Sequence, residues 1–386
     1  MNTHRIGLKL GIICSVAACL GLTSAVVAQG RDNTVINSHK KVSMIGSTVP
    51  ENGDVNPYGV ARVTRTSGNL TAGHILISNF NNSQNQQGTG TTIVDVAPDG
   101  TLNLFSQIDA STLPGPCPGG VGLTTALVYL RDGWVIVGSL PTSDGTSATA
   151  QAGCLIVLNS TGNPVETFYG SLINGPWDMT ALDQGNQATL FVTNVLNGTV
   201  AANGSVVNNG TVLRINLGLS ETQMPWIESA IVIGSGFDER TDPAALVIGP
   251  TGVGLSRICN HGESENCTPA ADAVLYVADT LKNRIAAIPN ALTRVTSAGR
   301  GMTLSSHGSL NGPLGLTVAA NGDVLTLNGG DGFITEITPS GEQVSKLLLD
   351  NTGTPPGSGA LFGLTTAPGL GVVFVDDATN TLNRLH

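Results

Sequence analysis

A chain of 386 residues with 40 % apolar side chains and a formal net charge of −10 can bury a sizeable core, and it is too acidic to suit nucleic acid or an anionic membrane surface. Only 4 % of its residues are aromatic and 11 % charged, against 50 glycines, a balance that fits short strands joined by turns rather than disorder. The first predicted element is an export signal. Met1 to Lys9 is polar and carries Arg5 and Lys9, Leu10 to Val27 is apolar, and Val26-Val27-Ala28 offers small residues for cleavage after Ala28. A membrane anchor, or a lipoprotein signal through Val16-Ala17-Ala18-Cys19, competes with that reading. No later apolar run reaches the roughly 18 residues that span a bilayer. Residues 29–386 are therefore expected to form one exported or periplasmic domain, a monomer, with no membrane span and no nucleic-acid partner.

Six segments along this domain repeat one order of events: a Gly/Pro-containing entrance, an apolar strand, a turn, a stronger apolar strand ending in a polar residue, and a further strand. The entrances are Asn56-Pro57-Tyr58-Gly59, Gly119-Gly120-Val121-Gly122, Asn174-Gly175-Pro176-Trp177-Asp178, Asp242-Pro243-Ala244-Ala245-Leu246, Asn311-Gly312-Pro313-Leu314-Gly315 and Ala360-Leu361-Phe362-Gly363. The most regular second strand and turn is Leu275-Tyr276-Val277-Ala278-Asp279, running into Asn283-Arg284-Ile285. Each unit exposes apolar faces that only a neighbouring sheet can cover, which predicts an all-β, six-bladed propeller. The sixth repeat runs out of chain after its third strand. Lys41-Val42-Ser43-Met44-Ile45 is expected to supply the missing outer strand and close the ring.

With the signal removed, Cys117, Cys154, Cys259 and Cys267 remain, an even number that suggests disulfides in an exported protein. The short Cys259–Cys267 loop favours pairing those two and leaves Cys117 for Cys154. A metal site is the alternative, without CxxC spacing and with only His261 nearby.

Tyr276-Val277-Ala278-Asp279 with Asn283-Arg284-Ile285, and Gly312-Pro313-Leu314-Gly315-Leu316, resemble the centre and entrance of an NHL repeat, the blade unit of many six-bladed propellers. The resemblance implies that Asp279, Asp376, Asn328, Asn194 and Asn79 organise the turn after the second strand, while Ser139 departs from the pattern. Lactonases of the regucalcin type are similar in outline. They hold a divalent cation in the channel with an acidic residue at a blade entrance and further Asn and Asp residues. This chain has Asn56-Pro57-Tyr58 at the first entrance and no Glu at any of them; the nearest acidic residues are Asp178 and Asp242.

No HExxH, GxSxG, Walker A or complete EF-hand loop is present. The turns from second to third strand are long and polar in the first three repeats (Phe80 to Gly90, Leu140 to Gly153, Val195 to Gly210) and tight in the last three. Insertions on one face often mark a binding face, although loops also lengthen at little cost. The leading expectation is thus a non-catalytic binding module that meets a protein or small-molecule ligand through that face, with Tyr58, Trp177 and Asp178 as ligand-binding candidates. The alternative is a lactonase-like hydrolase or lyase whose channel mouth holds Ca²⁺ or a similar cation through Asn194, Asp279, Asn328 and Asp376.

Overall fold

The computed structural model describes residues 34–220, 223–256 and 272–386, together with residue 1. The segment expected to be an export signal, apart from Met1, and the expected Cys259–Cys267 pair lie outside the described residues. Six antiparallel sheets follow one another along the chain, each entered through its innermost strand. Those inner strands are Val55–Arg62, Leu123–Tyr129, Pro176–Asp183, Pro250–Leu255, Pro313–Val318 and Leu361–Ala367. This is a six-bladed β-propeller.

The second strand of each blade is apolar on both faces because both are covered by neighbouring blades. Leu275–Asp279, Val324–Asn328 and Val135–Ser139 are buried at every position. Outer strands such as Met302–Ser306 are largely exposed. Among the described residues, five of six apolar clusters fill one gap each between successive blades, and the sixth joins the gap between blades 6 and 1 to side chains that reach the axis from other blades. Ile136 and Val157 meet Leu190 and Leu213 between blades 2 and 3, and Val324 meets Tyr276 and Ile285 between blades 4 and 5.

The ring closes as expected. Val42–Ser47 pairs antiparallel with Thr381–Leu385, placing Val42 opposite Leu385 and Ser47 opposite Thr381. Lys41 and His386 exchange backbone hydrogen bonds of 3.0 and 2.9 Å. Just upstream, the one-turn helix Val35–Ser38 is held against blade 5, whose Glu336 carboxylate accepts the N–H groups of Val35 and Ile36 at 2.7 and 2.9 Å.

One entrance is corrected. Asp242-Pro243-Ala244-Ala245-Leu246 does not open blade 4. It is the turn of a hairpin in which Trp226–Asp242 pairs with Leu246–Ile248, extending blade 3 to five strands. Blade 4 begins at Pro250, which pairs with Asp279 as Pro313 pairs with Asn328 in blade 5. A proline after an Asx residue marks a turn as readily as an entrance, and here the turn came first. Blade 3 is also longer than expected, its third strand starting at Val207 inside the anticipated loop.

Candidate functional site

All six inner strands begin alike. Pro57, Leu123, Pro176, Pro250, Pro313 and Leu361 each face a polar residue at the end of the second strand or, in blade 1, two positions before it: Asn79, Ser139, Asn194, Asp279, Asn328 and Asp376. A β-bulge follows at once in every blade. In blades 1, 4, 5 and 6 it carries a glycine: Gly59, Gly252, Gly315 and Gly363. The reason is close approach. A Cβ at Gly252, Gly315 or Gly363 would collide with the carbonyl of Leu314, Phe362 or Tyr58 on the next blade. Blade 2 has Thr124 and Thr125 in its bulge, and blade 3 has Asp178.

Asp178 fits because backbone amides surround it. Its Oδ1 accepts the Met179 N–H at 2.8 Å, and its Oδ2 accepts the N–H of Val253, on blade 4, at 3.0 Å. Its own N–H donates to Thr193 Oγ1 at 3.1 Å. The side chain lines a cavity of about 230 Å³ that occupies the channel along the inner strands. Among the described residues, Arg62 and Tyr129 are the other titratable groups of that lining, and Asp178 is its one carboxyl; threonines 64, 125, 180, 317, 365 and 366 supply hydroxyls. Thr125 is 3 % exposed, and its Oγ1 makes no hydrogen bond within the protein. Burial pushes the Asp178 carboxyl up to about 8, overriding the two amide hydrogen bonds that favour its ionised form. No charged neighbour contributes to that shift.

Toward the blade entrances the channel is filled by apolar side chains. Tyr58 stacks between Phe80 and Phe362, with ring centroids 4.6 and 3.9 Å apart, and Trp177 lies 6.4 Å away. Leu140, Leu314 and the hairpin residues Leu246 and Val247 join the same cluster. The space left among Tyr58, Trp177 and Leu246 is about 10 Å³, enough for about one water. Two of the sequence candidates, Tyr58 and Trp177, therefore belong to this plug, at 2 and 4 % exposure, whereas the third, Asp178, faces the cavity. Burial raises the Tyr58 hydroxyl well above its ordinary range, and the Asp377 carboxylate adds to the effect.

The four candidate cation donors stand one to a blade, each bonded beside its own turn, although Asp279 Oδ1 and Asn328 Oδ1 are buried without a hydrogen-bond partner. Asn194 Oδ1 accepts the N–H groups of Asn174 and Gly175 at 3.0 and 3.2 Å. Asp279 Oδ2 accepts Arg284 Nε–H at 2.8 Å, and Asn328 Nδ2 donates to Ser309 O and Asp331 Oδ1. Asp376 Oδ1 accepts the Thr379 N–H. A calcium ion asks for six to eight oxygens. Among the described residues no three His, Cys, Asp or Glu side chains gather to hold a metal. The candidate donors thus lie on four separate blades, and among the described residues they do not form a gathered set of the size that a divalent cation asks for.

The first long loop is bound to the second and to the hairpin turn that extends blade 3. Thr142 donates from its N–H to Gly88 O at 2.9 Å and from its hydroxyl to Gln87 O at 2.6 Å, and Gln87 Nε2 reaches Pro243 O and Ala244 O. Cys117 is bonded to Cys154, as expected, which ties the end of the second loop to the segment before blade 2.

Thr125 is a site residue that sequence reasoning misses, since nothing in its sequence context separates it from the other threonines. The departure at Asp178 is visible in the sequence: Pro-Trp-Asp stands where the other Pro-containing entrances read Pro-x-Gly.

No family model matches the sequence, and no curated protein does either. Solved structures match over most of the chain. A gluconolactonase from Xanthomonas campestris superposes with a TM-score of 0.51 at 11 % identity, covering 89 % of this chain and 88 % of its own. A luciferin-regenerating enzyme gives 0.51 at 12 % identity, covering 89 and 94 %. A Thermus thermophilus protein named as a putative oxidoreductase of the glucose dehydrogenase kind gives 0.52 at 12 % identity, covering 90 and 99 %. These structural neighbours bear the names of propeller enzymes. At such identities the likeness carries the six-bladed fold and nothing finer.

Proposed function

We propose that this chain is an exported propeller enzyme, a hydrolase or lyase that takes a small molecule into its central channel, with Asp178 as the group that gives or takes the proton. One observation carries the reading: the one carboxyl that lines the cavity among the described residues is buried, fixed by two backbone amides, and poised at about 8. A catalytic acid or base works best with a pKa near the working pH, and burial in a cleft is the usual means of placing it there. Protonated, Asp178 can hand its proton to a leaving oxygen or nitrogen; ionised, it can take one from water or from a substrate carbon. The names of the propeller enzymes above lend this class a prior and no residue roles. Calcium, suggested by the lactonase likeness, enters no step, because among the described residues no three acidic, His or Cys side chains gather to hold it.

The test is a hydrolysis and elimination screen of lactones, esters and β-substituted carbonyl compounds, with and without an amino group, against the wild type and Asp178→Asn. Turnover with a pH profile inflecting near 8, lost in Asp178→Asn, is expected. Turnover that survives this substitution would overturn the reading.

A second reading keeps the protein non-catalytic, binding a partner through the loops of blades 1–3. The hydrogen bonds among Thr142, Gly88, Gln87 and the Pro243–Ala244 turn favour it, since loops held in one arrangement bind without an ordering cost. Alanine at Gln87 would then weaken partner binding and leave channel chemistry intact.

A further inference from the structure

The channel has a mismatch between its charge and its geometry that the proton-transfer role does not explain. Asp178 keeps two backbone donors and no counter-ion, although a carboxylate offers about four acceptor positions. A buried carboxylate is costly unless paired, so in the free protein the group stays protonated at neutral pH. Thr125 leaves a hydroxyl oxygen unpartnered at 3 % exposure in the same lining. The lining of one cavity thus holds a carboxyl that would have spare lone pairs once ionised and a hydroxyl with no partner. Arg62, the one cation of the lining among the described residues, is not without a partner of its own.

We propose that the channel binds a small organic cation, a primary amine in its ammonium form, with Asp178 as its counter-ion and Thr125 as a second acceptor for its N–H groups. The inference rests on the channel being the working site and names the class of molecule that it takes. Size limits the ligand: about 230 Å³ falls below the roughly 300–1,000 Å³ of a drug-sized pocket. A net charge of −10 draws cations toward the protein. A metal ion is a poorer occupant than an ammonium, because one carboxylate and one hydroxyl fall far short of its coordination number.

Binding has a proton balance. The O–H bond of Asp178 breaks, its proton leaves to solvent, and the ammonium takes its place beside the carboxylate; no electron pair moves otherwise. In that complex Asp178 is ionised, so it serves as the base. The titratable groups facing it across the cavity are Arg62 and Tyr129, and neither contributes to its shift.

The experiment is calorimetric titration of the full chain with n-butylamine between pH 6 and 9, in two buffers of different protonation enthalpy, with butan-1-ol as the uncharged control. An amine with a pKa near that of lysine, about 10.4, stays ammonium throughout. Expected are release of one proton at pH 6–7, an affinity that rises about tenfold per pH unit and flattens above about pH 8, and no binding of butan-1-ol. Asp178→Asn should lose both the proton release and the preference for the amine. No binding of butylamine, equal binding of butan-1-ol, or binding without proton release would overturn the proposal. Should Asp178→Asn fail to fold, proton release by the wild type decides alone. If butylamine fails while Asp178→Asn still abolishes turnover, the ligand class falls and the channel reading stands; if turnover survives the substitution, the channel reading falls.

Discussion

Asp178 on blade 3 accepts the backbone N–H of Val253 on blade 4 at 3.0 Å, a side chain stitching two blades at the channel wall where most blades meet backbone to backbone. It does so while its other oxygen accepts the N–H of Met179. The same carboxyl is thus a structural joint and the proposed reacting group, and the two roles separate by experiment.

The joint predicts a stability cost. Asp178→Ala leaves the N–H groups of Val253 and Met179 without acceptors, at about 1–3 kcal/mol for each buried unsatisfied group. Urea denaturation should show a loss of about 2–6 kcal/mol with an unchanged slope. A loss under about 0.5 kcal/mol, the range of an ordinary surface substitution, would mean that water replaces the carboxyl freely.

The shift of the same group predicts how stability follows pH. Asp178 rises from 3.8 to about 8 on folding, so the folded chain holds a proton that the unfolded chain releases. The stability this contributes is complete below about pH 4 and is lost as pH rises through 8. Glu239 and Asp377 act in the same direction, held up to about 8 and about 7, first by burial in each case. The melting temperature should therefore fall between pH 5 and pH 9. Asp178→Asn, neutral throughout, should flatten that decline, and parallel profiles for the two proteins would contradict the assignment.

The disulfide makes a third prediction. Cys117 and Cys154 are 37 residues apart in sequence and clamp the base of the second long loop. Closing a loop of that length restricts the unfolded chain by about 4 kcal/mol. The double variant Cys117→Ser/Cys154→Ser should lose stability of that order, read by urea denaturation without reductant. Losses below about 1 kcal/mol would place the stapling effect in doubt.

Ring closure gives a fourth. Deleting residues 29–50 removes the outer strand paired with Thr381–Leu385 and the helix whose N–H groups Glu336 accepts. Two sheet edges would then lie open. Cooperative unfolding should be abolished; a truncated chain that melts as the full one does would sink the closure account.

Most of the architecture is legible in the sequence because it is written six times over. Each polar residue at or near the end of a second strand, from Asn79 to Asp376, reappears opposite the start of an inner strand. The fourth entrance misleads because Asp242-Pro243 copies the entrance chemistry in a turn, and only pairing across the sheet distinguishes Pro243 from Pro250. The plug is hidden for another reason. Tyr58, Phe80, Trp177 and Phe362 come from three blades, and sequence gives no measure of how rings from distant segments stack across an axis. Asp178 stands out as an acidic entrance residue, but the direction it faces depends on the bulge that follows Pro176. A one-residue slip of register turns a side chain from one face of a strand to the other.

The most direct test of the channel as the working site is the ionisation of Asp178 itself. Titration of its side-chain carboxyl carbon by ¹³C NMR, assigned through the signal missing from Asp178→Asn, reads the group without any substrate. A midpoint near pH 8, moving downward when n-butylamine is added, is the result predicted here. A midpoint near 4, unmoved by the amine, would show an ordinary solvated carboxylate and contradict the account.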